Sequence, residues 1–387
     1  MSRNISVFSL VLLTVCASTV LASAQATSST TEIRSNSTTP GFVYVTSVNN
    51  NNTEEIYAYS ESGDGALTPV AGSPFAANGY YLATNSKWLV STDTVNIYSF
   101  SVAESGAITQ VSSINAQQYN EYDTGGPVSL FFDRTGATLY DEDIYGNQGA
   151  NNTYQFFDLN QSTGALSFLG ATTSYSAAWI TPLSFIANNE YAYGASPLYG
   201  GQYIYGFSRA SNGTLTDLNI NPSYPKASDG AYAPYLAAAD TANHLAITLT
   251  PDNDMTQTGP TQIGVYTAGS SGNLTTNSTS SNMPTVAVVN VNDLKMSASG
   301  KVLAVAGSAG LQLFHFNGAN PVTRFTGLLT TDAVNQVAWD NMNHLYAVAS
   351  AAGKLYVFMV TTTSVKQAPG SPYAITSPGY VAVFPTN

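Results

Sequence analysis

The sequence predicts an all-β fold, a seven-bladed β-propeller in which each blade is a four-stranded antiparallel sheet. A strand-and-turn pattern repeats seven times along the 387 residues, and the chain ends with a strand that can complete its first blade. After residue 41, no stretch shows the sustained 3.6-residue apolar period of a helix. Only 9% of residues are charged, and 31 Gly, 25 Tyr and 16 Phe suit a β protein with many turns.

The repeat begins with a short apolar and aromatic strand, and a second such strand follows it after a turn. Successive copies of the first strand start 43 to 57 residues apart, and four short strands per unit at this period are typical of a propeller blade. The first strands start at Phe42, Trp88, Thr138, Tyr191, Leu245, Val302 and Leu345, and the strands that follow them start at Ile56, Ile97, Tyr154, Tyr203, Ile263, Leu311 and Leu355.

Two kinds of turn recur with the strands. One is a glycine that opens the next strand of the unit, and the other is an Asp-x-x-Gly or Asp-x-x-Asn hairpin that precedes the first strand. Asp closes such a turn through its side chain, and Gly or Asn tolerates the left-handed backbone that a tight hairpin needs. The glycines are Gly65, Gly106, Gly164, Gly213 and Gly272, and the hairpins run from Asp133 to Gly136, from Asp240 to Asn243 and from Asp340 to Asn343.

The two ends of the repeat region predict how the ring closes. The chain enters the pattern at Phe42-Val-Tyr-Val. This strand opens the repeat but is the second strand of a blade, because a further strand precedes its counterparts in later units. The chain ends with Gly379-Tyr-Val-Ala-Val-Phe, which corresponds to the missing first strand of that blade. We expect these two segments to pair, because that pairing leaves no inner sheet edge open. Six or eight blades are the alternatives.

The first 24 residues predict a secretory signal peptide. Arg3 precedes an apolar run from Phe8, and Ala22-Ser-Ala24 forms a small-x-small cleavage pattern. The apolar run is short for a membrane anchor, and lipidation at Cys16 is a further alternative. Residues 25–40 are polar and aperiodic, so we interpret them as a flexible linker before a single propeller domain, 41–387. We expect an exported protein, periplasmic or extracellular.

Charge excludes several classes of partner. Loss of Arg3 with the signal peptide leaves 10 basic against 23 acidic residues, a net charge of −13, and loss of Cys16 leaves no cysteine. The mature chain then has no disulfide or cysteine-ligated metal. It has no electrostatic footprint for nucleic acid and no attraction to an anionic membrane surface. We expect a monomer without a membrane span.

The three histidines predict no catalytic or zinc site. His244 and His344 both lie in an Asn-His-Leu segment that opens a strand, so we interpret them as a repeated feature of the face opposite the ligand site. His315 lies in an alternating strand. No pair has zinc-ligand spacing, and a Ser-His-Asp triad has no candidate histidine.

Acidic residues follow the repeat strands that start at Thr138 and Leu245, and they predict the candidate metal site. Propeller ligands usually lie where the loops gather around the central channel, and we expect these carboxylates in such loops. Close carboxylates can bind a hard cation such as calcium, or one of them can act as a general base. Solvated polar loops are the alternative. The candidates are Asp141, Glu142, Asp143, Asp252 and Asp254.

Aromatic residues near the same face predict a ligand platform. Rings flanked by polar groups can stack on the C–H faces of a sugar while its hydroxyls find hydrogen-bond partners. Packing between blades is the alternative. The candidates are Tyr122, Asp123, Tyr145, Trp179 and Tyr235.

Several segments resemble a known family of propellers. Phe42-Val-Tyr-Val-Thr-Ser-Val-Asn resembles the repeat of the YVTN propellers. Gly65-Ala-Leu-Thr-Pro-Val-Ala-Gly-Ser-Pro-Phe, Phe131-Phe-Asp-Arg-Thr-Gly-Ala-Thr-Leu-Tyr-Asp and Ala368-Pro-Gly-Ser-Pro-Tyr are similar to lactonases of the 6-phosphogluconolactonase type. The resemblance implies a seven-bladed propeller and, in active members, lactone hydrolysis that uses histidine, arginine and glutamate.

This chain departs from the residues that the resemblance implies. The strand starts at Gly126-Pro-Val and Ala233-Pro-Tyr lack the expected histidine, and we expect none of Arg34, Arg134, Arg209 and Arg324 in an inter-blade position. The sequence therefore favours a non-catalytic, lactonase-like scaffold that binds a small neutral or cationic ligand, a glycan or an envelope protein. Hydrolysis of a sugar lactone is the alternative, and redox chemistry with a bound quinone is a more distant one. The sequence predicts no definite cofactor, and calcium is the candidate ion for the carboxylates.

Overall fold

The short apolar strands pair into seven separate antiparallel sheets, which are the seven blades of the predicted propeller. The structure is a computed structural model that describes residues 41–48, 53–119, 127–143, 152–174, 182–196, 203–227, 230–253 and 256–385. The predicted signal peptide (1–24) and linker (25–40) lie outside the described residues. No helix in these ranges is long and apolar enough to cross a membrane.

The strands follow one another along the chain blade by blade. Blade 1 contains β1 (Gly41–Val48), β2 (Glu54–Glu61), β3 (Leu67–Pro69) and β4 (Phe75–Ala76). Blade 2 contains β5 (Tyr81–Thr84), β6 (Leu89–Thr92), β7 (Asn96–Val102) and β8 (Ile108–Asn115), and blade 3 contains β9 (Pro127–Phe132), β10 (Thr138–Asp143), β11 (Asn152–Leu159) and β12 (Leu166–Ser174). Blade 4 contains β13 (Ser184–Phe185), β14 (Tyr191–Ser196), β15 (Tyr203–Arg209) and β16 (Leu215–Asp217).

The remaining blades keep the same order. Blade 5 contains β17 (Ala231–Ala239), β18 (His244–Asn253), β19 (Thr256–Gln257), β20 (Gln262–Ala268) and β21 (Leu274–Thr275). Blade 6 contains β22 (Val291–Met296), β23 (Val302–Gly307), β24 (Gly310–Asn317) and β25 (Asn320–Thr330). Blade 7 contains β26 (Gln336–Trp339), β27 (His344–Ala349), β28 (Lys354–Val360), β29 (Val365–Gln367) and β30 (Tyr373–Ala374), and β31 (Pro378–Pro385) returns to blade 1. Two 3₁₀ turns, Gln117–Tyr119 and Ser350–Ala352, complete the described elements.

The ring closes as the sequence predicts. The C-terminal strand β31 is the innermost strand of blade 1, and β1, β2 and β3 follow it outward. Phe42 pairs with Phe384, and Val45 pairs with Val381, in an antiparallel ladder. The two ends of the propeller therefore share one sheet, which confirms the seven-bladed count.

The core lies between the blades, so both faces of an inner strand are buried. On β1, Phe42 and Tyr44 pack toward blade 2, while Val43 and Val45 pack toward blade 7. Because successive side chains of a strand point to opposite faces, both sets of side chains from Phe42 to Val45 are buried and apolar. This explains why the repeat appears as continuous runs such as Phe-Val-Tyr-Val.

The repeated glycines mark a contact between neighbouring blades. A tyrosine hydroxyl of one blade donates to the carbonyl of the turn glycine in the next blade, which fixes the spacing of the two sheets. Gly106 has a φ of +84°, and a Cβ there would lie 2.5 Å from the ring of Phe42, so only glycine fits. The three tyrosine contacts are Tyr44 to Gly106 at 2.8 Å, Tyr140 to Gly213 at 2.7 Å and Tyr193 to Gly272 at 2.8 Å.

Two arginines form contacts between blades, although neither lies in a loop that connects one blade to the next. Arg209 of blade 4 forms a buried ion pair with Asp133 of blade 3, with 2.6 Å between Nη2 and Oδ2. Arg134 donates from Nε to the carbonyl of Phe185 at 2.8 Å and from Nη2 to the carbonyl of Asp240 at 2.6 Å. Blade-to-blade contacts arise from residues 50 to 110 positions apart, which no local pattern reveals.

Candidate functional site

The innermost strands of the seven blades surround a central cavity of about 670 Å³. Residues of β5, β9, β13, β17, β22, β26 and β31 contribute to its wall. This volume lies within the range of about 300–1,000 Å³ that is usual for small-molecule sites. The geometry of the fold therefore places a ligand-sized space on the propeller axis.

Glu142 contributes an unusual acidic group to this cavity. It lies near the end of β10, between Ser129 of β9 and Tyr154 of β11, and it is only 5% exposed. Its carboxyl group lines the cavity and has no hydrogen-bond partner among the described residues. Burial raises the pKa of Glu142 from its ordinary 4.5 to about 8, so the carboxyl group is mainly protonated at pH 7.

Three tyrosines share the cavity with Glu142. Tyr81 of β5 and Tyr380 of β31 lie with ring centroids 4.5 Å apart, and Tyr235 of β17 is 38% exposed. Burial raises the pKa of each hydroxyl, and the nearby Glu142 carboxyl adds to the rise. The Glu142 end of the cavity thus combines one carboxyl group with three phenol rings and their hydroxyls.

Two other polar side chains of the wall, Asp293 and Gln336, accept hydrogen bonds from the backbone. Asp293 accepts from the amide of Leu294 at 2.8 Å and from the amide of Val337 at 2.9 Å, which joins blade 6 to blade 7. Gln336 accepts from the amide of Val381 at 2.7 Å, which joins blade 7 to blade 1. These side chains position the inner strands, whereas Glu142 makes no such hydrogen bond to the described backbone.

Cationic groups lie toward the other end of the cavity. Glu142 is level with Ser129 near the start of β9, whereas Arg134 follows the end of that strand. Lys295 lies near the end of β22, and its Nζ is 3.6 Å from Oδ1 of Asp293. Among the described wall residues, the Glu142 end therefore carries no positive charge.

The predicted acidic cluster lies differently from expected. Asp141 and Glu142 lie within β10, and Asp252 lies within β18, so the expectation that they occupy loops is wrong. Asp141 pairs across the sheet with Gln155, whereas Glu142 pairs with Tyr154. Adjacent residues of a strand point to opposite faces, so Asp141 and Glu142 face different neighbouring blades.

The other predicted site residues are only partly within the described structure. Tyr235 lines the central cavity with Glu142, and Oδ1 of Asp252 is buried without a hydrogen-bond partner among the described residues. The side chain of Asp143 is outside the description, and so the calcium site stays a prediction. Outside the described residues lie Tyr122, Asp123, Tyr145, Trp179 and Asp254.

In the described ranges, one group of three side chains that could each offer a metal ligand lies close together. It consists of Glu61, Asp340 and His344. Nδ1 of His344 lies 2.5 Å from Oε1 of Glu61 and 2.7 Å from Oδ2 of Asp340. Ligand atoms around one zinc ion stand roughly 3.2 Å apart at bond lengths near 2.0 Å, so these distances fit hydrogen bonds better. Burial lowers the pKa of His344, but its bonds to Asp340 and Glu61 outweigh that effect and raise it to about 10.

The Asp–His contact repeats in blade 5, as the sequence pattern indicates. Nδ1 of His244 lies 2.8 Å from Oδ2 of Asp240, and both histidines begin the equivalent strand of their blade. Asp340 also accepts from the amide of His344, as Asp240 does from that of His244. The histidines therefore stabilise hairpins, away from the central cavity.

Comparison with known proteins adds information on the fold. No family model and no curated protein matches the sequence. A Bacteroides uniformis protein provisionally assigned as a 6-phosphogluconolactonase has a similar structure, with 13% identity and a TM-score of 0.66 over 89% of this chain and 99% of that one. The periplasmic gluconolactonase of Pseudomonas aeruginosa has 15% identity and a TM-score of 0.62 over 89% and 98%.

A protein described as having a different function has a similar fold. A Sulfolobus tokodaii structure described as a hypothetical selenium-binding protein has 8% identity and a TM-score of 0.60, over 89% of this chain and 93% of that one. At such identities the likeness concerns the fold alone. The chain has the lactonase-type, seven-bladed propeller fold, and its activity has to be argued from its own residues.

Proposed function

We propose that this propeller is an exported binding protein for a small, neutral, hydroxyl-rich ligand of the sugar class, bound at the Glu142 end of the central cavity. One observation carries the proposal: Glu142 is buried, faces a ligand-sized cavity and has no hydrogen-bond partner among the described residues. Burial raises the pKa of this carboxyl group to about 8, so its ionised form is costly to the fold. Such a cost is typical of a group kept for a ligand.

The chemistry of the neighbouring side chains supports a sugar. A protonated carboxyl group donates one hydrogen bond and accepts others, and the hydroxyls of Tyr81, Tyr235 and Tyr380 can do the same. The rings offer apolar faces on which the C–H groups of a pyranose can stack. The site therefore matches both surfaces of a sugar ring, the polar edge and the apolar face.

Charge argues against an anionic ligand such as a sugar phosphate. The chain carries a formal net charge of −12, and the Glu142 end of the cavity has no described cation. A phosphate there would meet no compensating charge and would lose its hydration. The predicted export agrees with the similar Pseudomonas aeruginosa protein, which is described as periplasmic.

The proposal is tested with methyl glycosides of glucose, galactose, mannose and N-acetylglucosamine, by saturation-transfer NMR and calorimetry. We expect at least one to bind wild type at pH 7, and Glu142→Ala to reduce that binding at least tenfold. Glu190→Ala is the matched control, since Glu190 is exposed on a blade 4 hairpin. Binding of none of the four to wild type, or equal binding by Glu142→Ala, would overturn the proposal.

Hydrolysis of a sugar lactone is the second candidate. It is favoured by the pKa of Glu142, because a carboxyl group with a pKa of about 8 is half ionised at pH 8 and can then accept a proton from water. A pH-stat assay with glucono-δ-lactone tests it against the spontaneous rate. Turnover by wild type that Glu142→Gln abolishes would support an enzyme, whereas no turnover above the spontaneous rate would exclude this candidate.

A further inference from the structure

A second cavity of about 360 Å³ lies beside the central one, at the junction of blades 1 and 2. Tyr81 and Tyr380 line both cavities, so this pair of rings forms the boundary between them. The rest of the side cavity comes from the end of β1, from the residues around Tyr80 and Thr94 in blade 2, and from the segment before β31. Closure of the ring by β31 therefore creates both cavities together.

Among the described residues, the lining of the side cavity is rich in hydroxyls and includes no charged side chain. The hydroxyls of Thr94 and Ser377 have no hydrogen-bond partner in the described part of the chain. The ring of Tyr80 is 37% exposed beside them. One open ring face and two available hydroxyls again suit a neutral, hydroxyl-rich group.

The backbone holds these groups in unfavourable conformations. Thr94 has a φ of +73° and Ser377 a φ of +42°, and a positive φ is particularly costly for a β-branched residue such as threonine. Gly379 keeps the cavity open, since a Cβ there would lie 2.7 Å from Oγ1 of Thr46. The backbone strain thus occurs where the two free hydroxyls line the cavity.

We infer that the side cavity is a second sugar subsite, so that the ligand is an oligosaccharide or glycoside of at least two rings. One ring occupies the Glu142 end of the central cavity, and the next contacts Tyr80, Thr94 and Ser377, with the linkage beside Tyr81 and Tyr380. A single ring would leave the side cavity empty. This inference rests on the proposed function, because the first ring is the ligand proposed there.

The inference is tested by comparing one-ring and two-ring probes. Calorimetry with methyl glucoside, cellobiose and maltose gives the affinity ratio of disaccharide to monosaccharide. We expect at least one disaccharide to bind tenfold or more tightly than the monosaccharide. Tyr80→Ala should bring that ratio close to one without changing the monosaccharide affinity, because Tyr80 lines only the side cavity.

Thr94 provides a second variant with a matched control. Thr94→Gly should reduce the disaccharide advantage at least threefold and raise the melting temperature, because glycine accepts the positive φ. Thr68→Val on the exposed outer strand β3 should change neither quantity. If the ratio of disaccharide to monosaccharide affinity is equal in wild type, Tyr80→Ala and Thr94→Gly, the inference of a second subsite is wrong. Loss of monosaccharide binding only in Glu142→Ala would still support the proposed function.

Discussion

His344 of blade 7 and Glu61 of blade 1 form a buried ion pair across the junction at which the ring closes, with 2.5 Å between Nδ1 and Oε1. Tyr346 also donates a hydrogen bond to Glu61. The equivalent histidine of blade 5, His244, contacts Asp240 but has no glutamate partner among the described residues. The junction that contains both ends of the propeller therefore has a polar connection that its blade 5 counterpart lacks.

Replacement of His344 should destabilise the propeller strongly. His344→Ala leaves Glu61 and Asp340 buried without the imidazolium, and breaking a buried pair in this way costs about 3–5 kcal/mol. His244→Ala is the matched control, since His244 is more exposed and has one carboxylate partner. Urea denaturation at pH 7 measures both. Equal losses in the two variants would contradict a special role for the closure pair.

The same pair should make stability depend on pH. The pKa of His344 is raised from 6.5 to about 10, so its contribution is complete below pH 6.5 and is lost as the pH rises toward 10. Burial also raises the pKa of Glu61, although its hydrogen bonds with His344 and Tyr346 oppose that rise. A raised carboxyl pKa likewise lowers the stability of the fold as the pH rises, but at lower pH than His344 does. We expect the melting temperature of wild type to fall between pH 6.5 and 10. In His344→Ala that fall should be smaller.

Deletion of the last strand should open the ring. Removal of residues 378–387 takes away β31, its ladder with β1 and the buried side chains of Val381, Ala382 and Val383. We expect a loss of several kcal/mol and of all ligand binding, because Tyr380 is removed with the strand. Deletion of residues 386–387 alone is the control. A melting temperature within a few degrees of wild type for the longer deletion would contradict closure by β31.

Calcium binding at the predicted site should depend on Asp252 rather than on Glu142. Oδ1 of Asp252 is buried without a partner in the described ranges, whereas Glu142 is mainly protonated at pH 7 and faces away from Asp141. We expect Asp252→Asn to abolish any calcium-induced rise in melting temperature, and Glu142→Gln to leave it intact. Differential scanning fluorimetry with millimolar calcium measures this. A rise that Glu142→Gln removes would place the ion in the central cavity instead.

The fold was predictable because its evidence is local and repeated. The strand pattern, the turn glycines and the unmatched strand at Phe42 all lie in short segments, and the closing strand at Tyr380 is its complement. The site was less predictable because its residues are distant in sequence. Asp141 and Glu142 look like one cluster in the sequence, but the two-residue period of a strand separates them.

Tyr81 and Tyr380 give the clearest example of this limit. They lie 299 positions apart, and only closure of the ring brings their rings to 4.5 Å. Nothing local distinguishes them from the other 23 tyrosines of the chain, most of which belong to the repeat. Tyr235 was recognisable because it belongs to an inner strand that follows a blade connection. Residues whose role depends on closure require the three-dimensional structure.

The final prediction concerns the stability cost of Glu142. Its pKa is raised from 4.5 to about 8, so the folded state loses stability relative to the unfolded chain as the pH rises from 4.5 to 8, by about 5 kcal/mol in total. Glu142→Gln keeps the shape and removes the charge. We expect the variant to melt several degrees above wild type at pH 9, and close to wild type at pH 5.

This difference separates a functional group from a structural one. A carboxyl group that held the fold together would make Glu142→Gln less stable at every pH, whereas one retained for a ligand makes the variant more stable where the group is ionised. The control is Glu61→Gln, since Glu61 contacts His344 and Tyr346 and should lose stability at pH 7. If Glu142→Gln melts below wild type at pH 9, Glu142 supports the fold and the proposed ligand site loses its principal group.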